Sequence, residues 1–223
     1  MKVIVPDGIT ENLAEETGWH IGDGSMNYYN NKGRQVGIYQ LRGHREDDKD
    51  HYIQRIKPIF DALYKTNISL REMPSNSVYG FQAWSSDLIK FKQKLGLPIG
   101  KKFNIVIPDA FLNDDSFIKA VIRGIFDTDG SIYLERKNKK IYPRVYITTI
   151  SEGLANQLLS LLKSLGLNAT KYSQLSNKEF NRQRAFIITL RGEEMLNRFI
   201  KEISPKNPKH LEKYKRFLDS KTL

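Results

Sequence analysis

Cysteine is absent from the 223-residue chain. That excludes a disulfide scaffold, a thiolate zinc site, an iron–sulfur cluster and a cysteine nucleophile together. No stretch approaches the roughly 18 consecutive apolar residues of a spanning helix. The opening MKVIVP is too short an apolar run for a signal peptide. The expectation is an intracellular, soluble protein that does not enter membranes. Histidine is limited to His20, His44, His51 and His210, which show no metal-ligand spacing. Acidic residues are in deficit. The 25 Asp and Glu against 36 Lys and Arg leave a net charge of +11, and the pI is near 9.6. A polyanion is the leading partner class. Apolar side chains are plentiful at 39%, with 11 Phe and 11 Tyr, so the chain can fill a core. Its length suits one large domain or two small ones.

The chain repeats itself. Residues 10–26, TENLAEETGWHIGDGSM, correspond to residues 116–132, SFIKAVIRGIFDTDGSI. Ala14/Ala120, Gly18/Gly124, Asp23/Asp129, Gly24/Gly130 and Ser25/Ser131 are identical pairs. Thr10 and Ser116 are expected as helix N-caps, and Gly24 and Gly130 as helix stops before a strand. After the first copy, residues 35–42 alternate like a strand. A helix over 46–66 carries Ile53, Ile56, Phe60 and Leu63 on one stripe, with Pro58 as a kink. Strands near 67–73 and 77–84 and a helix over 86–95 follow. After the second copy come a hairpin (131–137 and 141–150), a helix (154–165), strands near 168–174 and 183–191, and helices over 193–203 and 208–220. The pattern is α-β-β-α-β-β-α, twice. It predicts an α+β fold of two pseudo-symmetric halves, residues 1–96 and 116–223, joined by residues 97–115. The acidic-basic segment 44–50 is expected to be a solvated helix start. Trp19, Trp84 and His20 are expected to pack inside.

Gly18 and Gly22 lie four residues apart, so they share a helix face, as do Gly124 and Thr128. Small residues at that spacing let two helices approach closely. Paired as a pseudo-twofold, the helices would bring Asp23 and Asp129 together at their C-terminal ends. Carboxylates there are unfavourable unless a cation lies between them. The expected cation is Mg²⁺, with carbonyls of Gly22 and Thr128 as further hard oxygen ligands.

ETGWHIGDG (16–24) and IRGIFDTDG (122–130) resemble the two motifs of the LAGLIDADG homing endonucleases. The first copy departs from the pattern at Glu16, Thr17 and His20. LGLPIGKK (95–102) with Ile107-Pro108, and Leu165-Gly166-Leu167, also resemble this family. The resemblance implies a single-chain, monomeric enzyme of intron mobility. Its paired motif helices would join two halves, each with a curved four-stranded antiparallel sheet over the major groove of double-stranded DNA. It implies a site-specific endonuclease that hydrolyses one phosphodiester in each strand of a long, partly asymmetric target. Asp23 and Asp129 match the metal-binding position, for Mg²⁺ with Mn²⁺ or Ca²⁺ as substitutes. Lys102, Lys209 and Gln40 are the implied catalytic helpers, with Arg42 beside Gln40. Thr148 and Ile150 are expected as the second-half counterparts of Gln40 and Arg42. The competing reading is a non-cleaving nucleic-acid binder on the same scaffold, an RNA maturase of intron RNA or a transcription regulator. A self-splicing protein is disfavoured, because there is no cysteine and no room for a splicing domain.

Specificity would come from the sheets, where alternate side chains face the groove. The candidates are Asn27, Tyr29, Arg34, Gln40, Arg42, Arg71, Tyr133, Glu135, Lys137, Lys139, Arg144, Tyr146, Lys171, Tyr172, Arg182 and Arg184.

Overall fold

Thr10 opens the first helix by accepting the Leu13 N–H at 3.2 Å, as its hydroxyl should. The structure, a computed structural model, describes residues 3–73, 77–138, 140–175 and 184–221, with side chains at all of these except Met73. Helix α1 (Glu11–Gly22) leads into strands β1 (Gly24–Asn31) and β2 (Arg34–His44). A long helical segment follows as α2 (Lys49–His51), a π-helical turn (Tyr52–Ile56) and α3 (Lys57–Tyr64). Strands β3 (Arg71–Met73) and β4 (Val78–Trp84) and helix α4 (Ser86–Lys94) complete the first half. The second half repeats the order with α5 (Asp115–Asp129), β5 (Gly130–Lys137), β6 (Lys140–Thr149), α6 (Glu152–Ser164), β7 (Thr170–Gln174), β8 (Ala185–Arg191) and α7 (Glu193–Ile203). Helix α8 (Pro208–Asp219) follows, capped by Asn207 with proline in its first turn.

Each half holds one open antiparallel sheet of four strands. Their orders are β1-β2-β4-β3 and β5-β6-β8-β7, so the repeat seen in sequence is a repeat of topology. The fold is α+β. The apolar faces of both sheets pack on the helices, with Met26, Tyr39, Leu41 and Phe81 in one half and Ile132, Val145, Ile147 and Ile188 in the other. Segment 97–115 is anchored rather than loose. Leu97, Ile105, Ile107 and Phe111 are buried, and Gln157 of α6 both donates to and accepts from the Ile107 backbone.

Four local expectations change. The α5 cap is Asp114, which accepts the Ser116 N–H at 2.7 Å, because a carboxylate two residues earlier reaches the free amides first. The segment before Pro58 absorbs its missing donor as a π-helical turn. The extra residue in that turn rotates the stripe, leaving Ile53 exposed while Tyr52, Ile56, Ile59 and Phe60 are buried. Gly24 and Gly130 do not supply a left-handed stop, since Gly130 has φ −90°. They are glycine because the strand turns back against the helix: a Cβ on Gly24 would lie 2.5 Å from His20 Cα. Finally, Asp48 in the segment expected to be solvated is buried, at 4% exposure.

Candidate metal centre and nucleic-acid interface

Helices α1 and α5 touch through their glycines. A Cβ on Gly18 would sit 2.8 Å from Gly124 Cα, and one on Gly124 would sit 2.9 Å from Gly18 Cα. Carbon atoms ordinarily meet at about 3.5–4.0 Å, so only backbone fits between the helices. One turn on, a Cβ on Gly22 would lie 2.8 Å from Thr128 Cβ and 3.4 Å from the Asp129 carboxyl carbon. The pseudo-twofold pairing thus brings the last turns, and Asp23 and Asp129 with them, side by side.

Both carboxylates are uncomfortable there. Burial first, then the charges of Asp129 and Asp48, push Asp23 up to about 8. Burial likewise raises Asp129, although Lys102 and Lys209 oppose it. No hydrogen bond or ion pair from another described residue reaches either side chain. Two adjacent carboxylates without donors, Asp23 half-buried and Asp129 open to the surface, are an oxygen set that a hard divalent cation suits. Among the described residues no group of three or more acidic, histidine or cysteine side chains could hold a metal. Such a cation would therefore draw its remaining ligands from water and a phosphate. The Gly22 carbonyl already accepts from Lys102, which leaves one lone pair for a cation. The Thr128 hydroxyl is turned back on its own helix, donating to the Gly124 and Ile125 carbonyls at 3.0 Å.

The two helper lysines differ. Lys102 caps α1, donating to the carbonyls of His20 (3.2 Å), Ile21 (2.8 Å) and Gly22. A cation at a helix C-terminus is favourable. Burial lowers the Lys102 pKa, partly offset by Asp129 and Asp23. Lys209 instead donates to Asp48 Oδ1 at 2.7 Å, across the boundary between the halves. Sequence reasoning missed three residues here. Asp48 also accepts from Asn207 Nδ2 at 2.8 Å. Asn207 donates its second bond to the Asp127 carbonyl at 2.8 Å. The Asp127 carboxylate accepts the Lys206 and Asn207 amides, and burial raises it to about 7 despite them. The offset of Asp127 by two from Asp129 in the repeat was the available signal.

The polar departures in the first motif are also accounted for. Glu16 and Lys92 are fully buried and paired at 2.6 and 2.7 Å. Tyr39 and Tyr64 donate to the same carboxylate at 3.1 and 3.0 Å. Glu15 takes Arg55 in a two-pronged pair and Arg123 of α5 at 2.9 Å, which links the halves. Burial alone would raise Glu15, but these two arginines hold it below its ordinary value. His20 packs inside as expected, stacked on Tyr39 at 5.5 Å. Its pKa falls well below the usual value through burial and the nearby Lys92 and Lys102.

Strand register sorts the proposed base readers. In the first sheet Ser25 pairs with Gln40 and Gln40 with Gln82, while Asn27 pairs with Ile38, Tyr29 with Val36, and Asn31 with Arg34. These side chains share the face away from the helices, which places Asn27, Tyr29, Arg34, Gln40 and Arg42 together. Arg71 joins them through Gln82 at 2.6 Å. In the second sheet Tyr133, Glu135, Lys137, Arg144 and Tyr146 share the corresponding face, and Tyr172 pairs with Ile187 on it. Arg144 is ion-paired to Glu135 and contacts the Tyr146 hydroxyl at 3.4 Å. Exposed Arg184 lies just before β8. Lys171 is a correction. It points to the helix side, where its ammonium meets Asn156 of α6 and the Phe186 ring, because a neighbour of Tyr172 must face the other way. Trp84 is another. It is 47% exposed on the open face, 6.5 Å from Tyr29, since it pairs with outward-facing Ile38. The counterparts also shift by two residues. Ser131 pairs with Tyr146 as Ser25 pairs with Gln40, so Gln40 corresponds to Tyr146 and Arg42 to Thr148. Lys139 and Arg182 lie outside the described residues.

Residues 116–204 match the family model of a LAGLIDADG-like domain. Among curated proteins, the chain is 27% identical over 199 residues to an A-type ATP synthase subunit of Pyrococcus abyssi. That match covers 88% of this chain and 17% of that protein. It is 29% identical over 149 residues to the ATP-dependent DNA helicase Hel308 of Methanocaldococcus jannaschii, covering 63% of this chain and 12% of that protein. The chain thus spans under a fifth of these relatives' lengths. Among solved structures, the homing endonuclease I-DmoI in complex with DNA and Mn superimposes with a TM-score of 0.61 at 19% identity, over 86% of this chain and 96% of that one. The LAGLIDADG meganuclease I-AabMI bound to uncleaved DNA gives 0.55 at 12% identity, over 96% and 90%. No helix among the described residues is long and apolar enough to cross a membrane. Residues 116–204 thus match a LAGLIDADG-like domain, and the whole chain shares the two-sheet fold seen in these solved LAGLIDADG structures.

Proposed function

We propose that the protein is a divalent-metal-dependent endonuclease. It cuts one phosphodiester in each strand of a long, partly asymmetric DNA duplex. The observation that carries this reading is the pair Asp23 and Asp129, side by side and without donors at the ends of two glycine-packed helices, with Asp23 half-buried and Asp129 open to the surface. A purely binding surface gains nothing from unpaired carboxylates aimed at a polyanion. Bound Mg²⁺, for which Mn²⁺ or Ca²⁺ could stand in, would supply a water activated near neutral pH and charge for the leaving 3′-oxygen. The residues of the chain do the rest. Asp23 and Asp129 hold the cation, one serving each strand. Lys102 neutralises the carboxylates and the α1 carbonyls. Lys209 and Gln40 offer donors to the scissile phosphates.

The open faces of both sheets would grip the major groove. Arg34, Arg71, Lys137 and Arg184 meet phosphates or outer bases. Asn27, Gln40, Tyr133, Arg144 and Tyr146 meet base edges. The two faces differ at matched positions. Asn27, Ile38 and Trp84 in one correspond to Tyr133, Arg144 and Arg191 in the other. The target halves should therefore differ as well. One chain carries both halves of the site, so a monomer is sufficient, acting inside the cell where DNA is. Segments like this one match within a DNA helicase and a component of an ATP synthase, covering only 12% and 17% of them. Recurrence in unrelated hosts supports a role in the mobility of the intron or coding segment that carries it.

The test is a randomised duplex library incubated with the protein in Mg²⁺ or EDTA. Discrete double-strand cuts only with Mg²⁺ are expected. Enrichment of particular duplexes without cutting would replace this reading with the non-cleaving binder, with structured intron RNA as the next ligand.

A further inference from the structure

Asp48 stands where a helix cap is expected, yet it does not cap. As N-cap of α2 it makes no side-chain bond to that helix. Its carboxylate turns inward, with Oδ2 accepting the His44 amide at 2.8 Å and Oδ1 reaching the second half. Gly43 gives it room, since a Cβ there would lie 2.8 Å from Asp48 Oδ2. The Oδ1 atom is shared by Asn207 Nδ2 at 2.8 Å and Lys209 Nζ at 2.7 Å. Asn207 is itself fixed by Asp127, so Asp48 rests on a rigid floor. A buried charge bonded on three sides costs free energy to place, and it does not hold its own helix. Its effect falls on the lysine it holds beside the Asp23 and Asp129 pair.

Among the described residues the other half has no such device. The residue that caps α6 in the corresponding place is Ser151. It accepts from Leu154 N and donates to the Ile105 carbonyl. Lys102, the counterpart of Lys209, faces no carboxylate partner within bonding distance. Its ammonium has three N–H donors, and three backbone carbonyls take them. Lys209 gives one donor to Asp48, and no other described residue takes the remaining two.

We propose that Asp48 is a positioning residue that aims the Lys209 ammonium at the phosphate of one strand, so that the two strands are cut at unequal rates. The inference rests on the endonuclease reading above. Lysine is a point charge on a flexible four-carbon stem. Without its anchor the ammonium samples positions ångströms away, and a misplacement of about 1 Å can cost roughly a hundredfold in rate.

The test uses a duplex selected from the library, with the two strands separately labelled. Rates for each strand are measured with Mg²⁺ for wild type, Asp48→Asn, Lys209→Met and the double variant. Duplex affinity is measured in EDTA. Asp48→Asn is expected to slow one strand by roughly tenfold to a hundredfold, the same strand that Lys209→Met slows, and the other by under about twofold. The double variant should be no slower than Lys209→Met, and the affinity of Asp48→Asn should hold within about twofold. In free protein without metal, Lys209 should be acetylated faster in Asp48→Asn than in wild type, as read by peptide mass spectrometry. Lys102 and Lys92 should keep their wild-type acetylation rates, which separates release of Lys209 from a general loss of stability. Equal slowing of both strands, additive losses in the double variant, or unchanged Lys209 acetylation would overturn the proposal while leaving the endonuclease intact. A wild-type protein that cuts neither strand would overturn the endonuclease reading and this inference with it.

Discussion

Replacing Gly124 by alanine should separate the two motif helices and disable cutting far more than folding. The new Cβ would stand 2.9 Å from Gly18 Cα and closer still to the Glu15 carbonyl. Restoring a normal carbon contact requires a shift of roughly 1 Å. Overpacking of this kind costs about 1–3 kcal/mol, and alanine returns up to about 1 kcal/mol through helix propensity. The net loss is on the order of 1–2 kcal/mol, or roughly 2–8 °C in Tm for a chain of this size. The catalytic loss is larger, because Asp23 and Asp129 sit one turn beyond the contact and move with their helices. A shift of about 1 Å is worth roughly a hundredfold in rate. The assay is single-turnover cleavage of the selected duplex, with affinity in EDTA and a melting curve alongside. Gly8→Ala serves as control, since nothing lies within 4 Å of its Cβ position. A folded Gly124→Ala protein that cuts at the wild-type rate would refute the claim that this contact sets the carboxylate pair.

Three further outcomes follow from the same geometry. Lys92→Met strands the Glu16 carboxylate in the core, so it should cost about 3–5 kcal/mol in chemical denaturation, and the Lys92→Met/Glu16→Leu double variant should recover most of it. With EDTA present, Asp23 should weaken the folded protein progressively from about pH 4 to about pH 8, with the net fall visible above the ordinary histidine pKa of 6.5 and complete near pH 8. Asp23 in the folded protein holds its proton up to about 8 while the unfolded chain has already lost it, so the folded state binds more protons and is weakened as pH rises. The buried histidines act in the opposite sense only below their ordinary pKa of 6.5. Melting curves should show Asp23→Asn flattening the alkaline fall and Mg²⁺ lifting the wild-type Tm at pH 9. Duplex affinity should drop by roughly 10³–10⁵ between 50 and 200 mM salt if about six to ten phosphates are contacted, and a flat titration would count against the DNA interface.

The architecture was legible in sequence because the repeat carries it. Gly18, Gly22, Gly124 and Thr128 announced a close helix pair, and the glycine distances reproduce it. Strand limits followed from alternation, but facing did not, because a shift of one residue turns every side chain over. Lys171 and Trp84 were misplaced for that reason. The counterparts of Gln40 and Arg42 were misaligned for a related one, since only pairing shows that Tyr146 stands opposite Ser131. Asp48 was invisible because its partners, Asn207 and Lys209, lie some 160 residues away. Its charged neighbours, His44 to Asp50, read locally as a solvated run. Glu16 looked like decay of a motif. It is a buried charge with Lys92, Tyr39 and Tyr64 around it, and no local pattern predicts a cage assembled from four separate elements.

The most direct measurement is strand-resolved cleavage of the selected duplex by wild type, Asp23→Asn and Asp129→Asn in Mg²⁺, with affinity in EDTA measured on the same preparations. The account predicts that wild type makes a double-strand cut and that neither variant does, while both bind within about twofold of wild type. Either variant cutting both strands at the wild-type rate would show that the paired carboxylates are not the reaction centre.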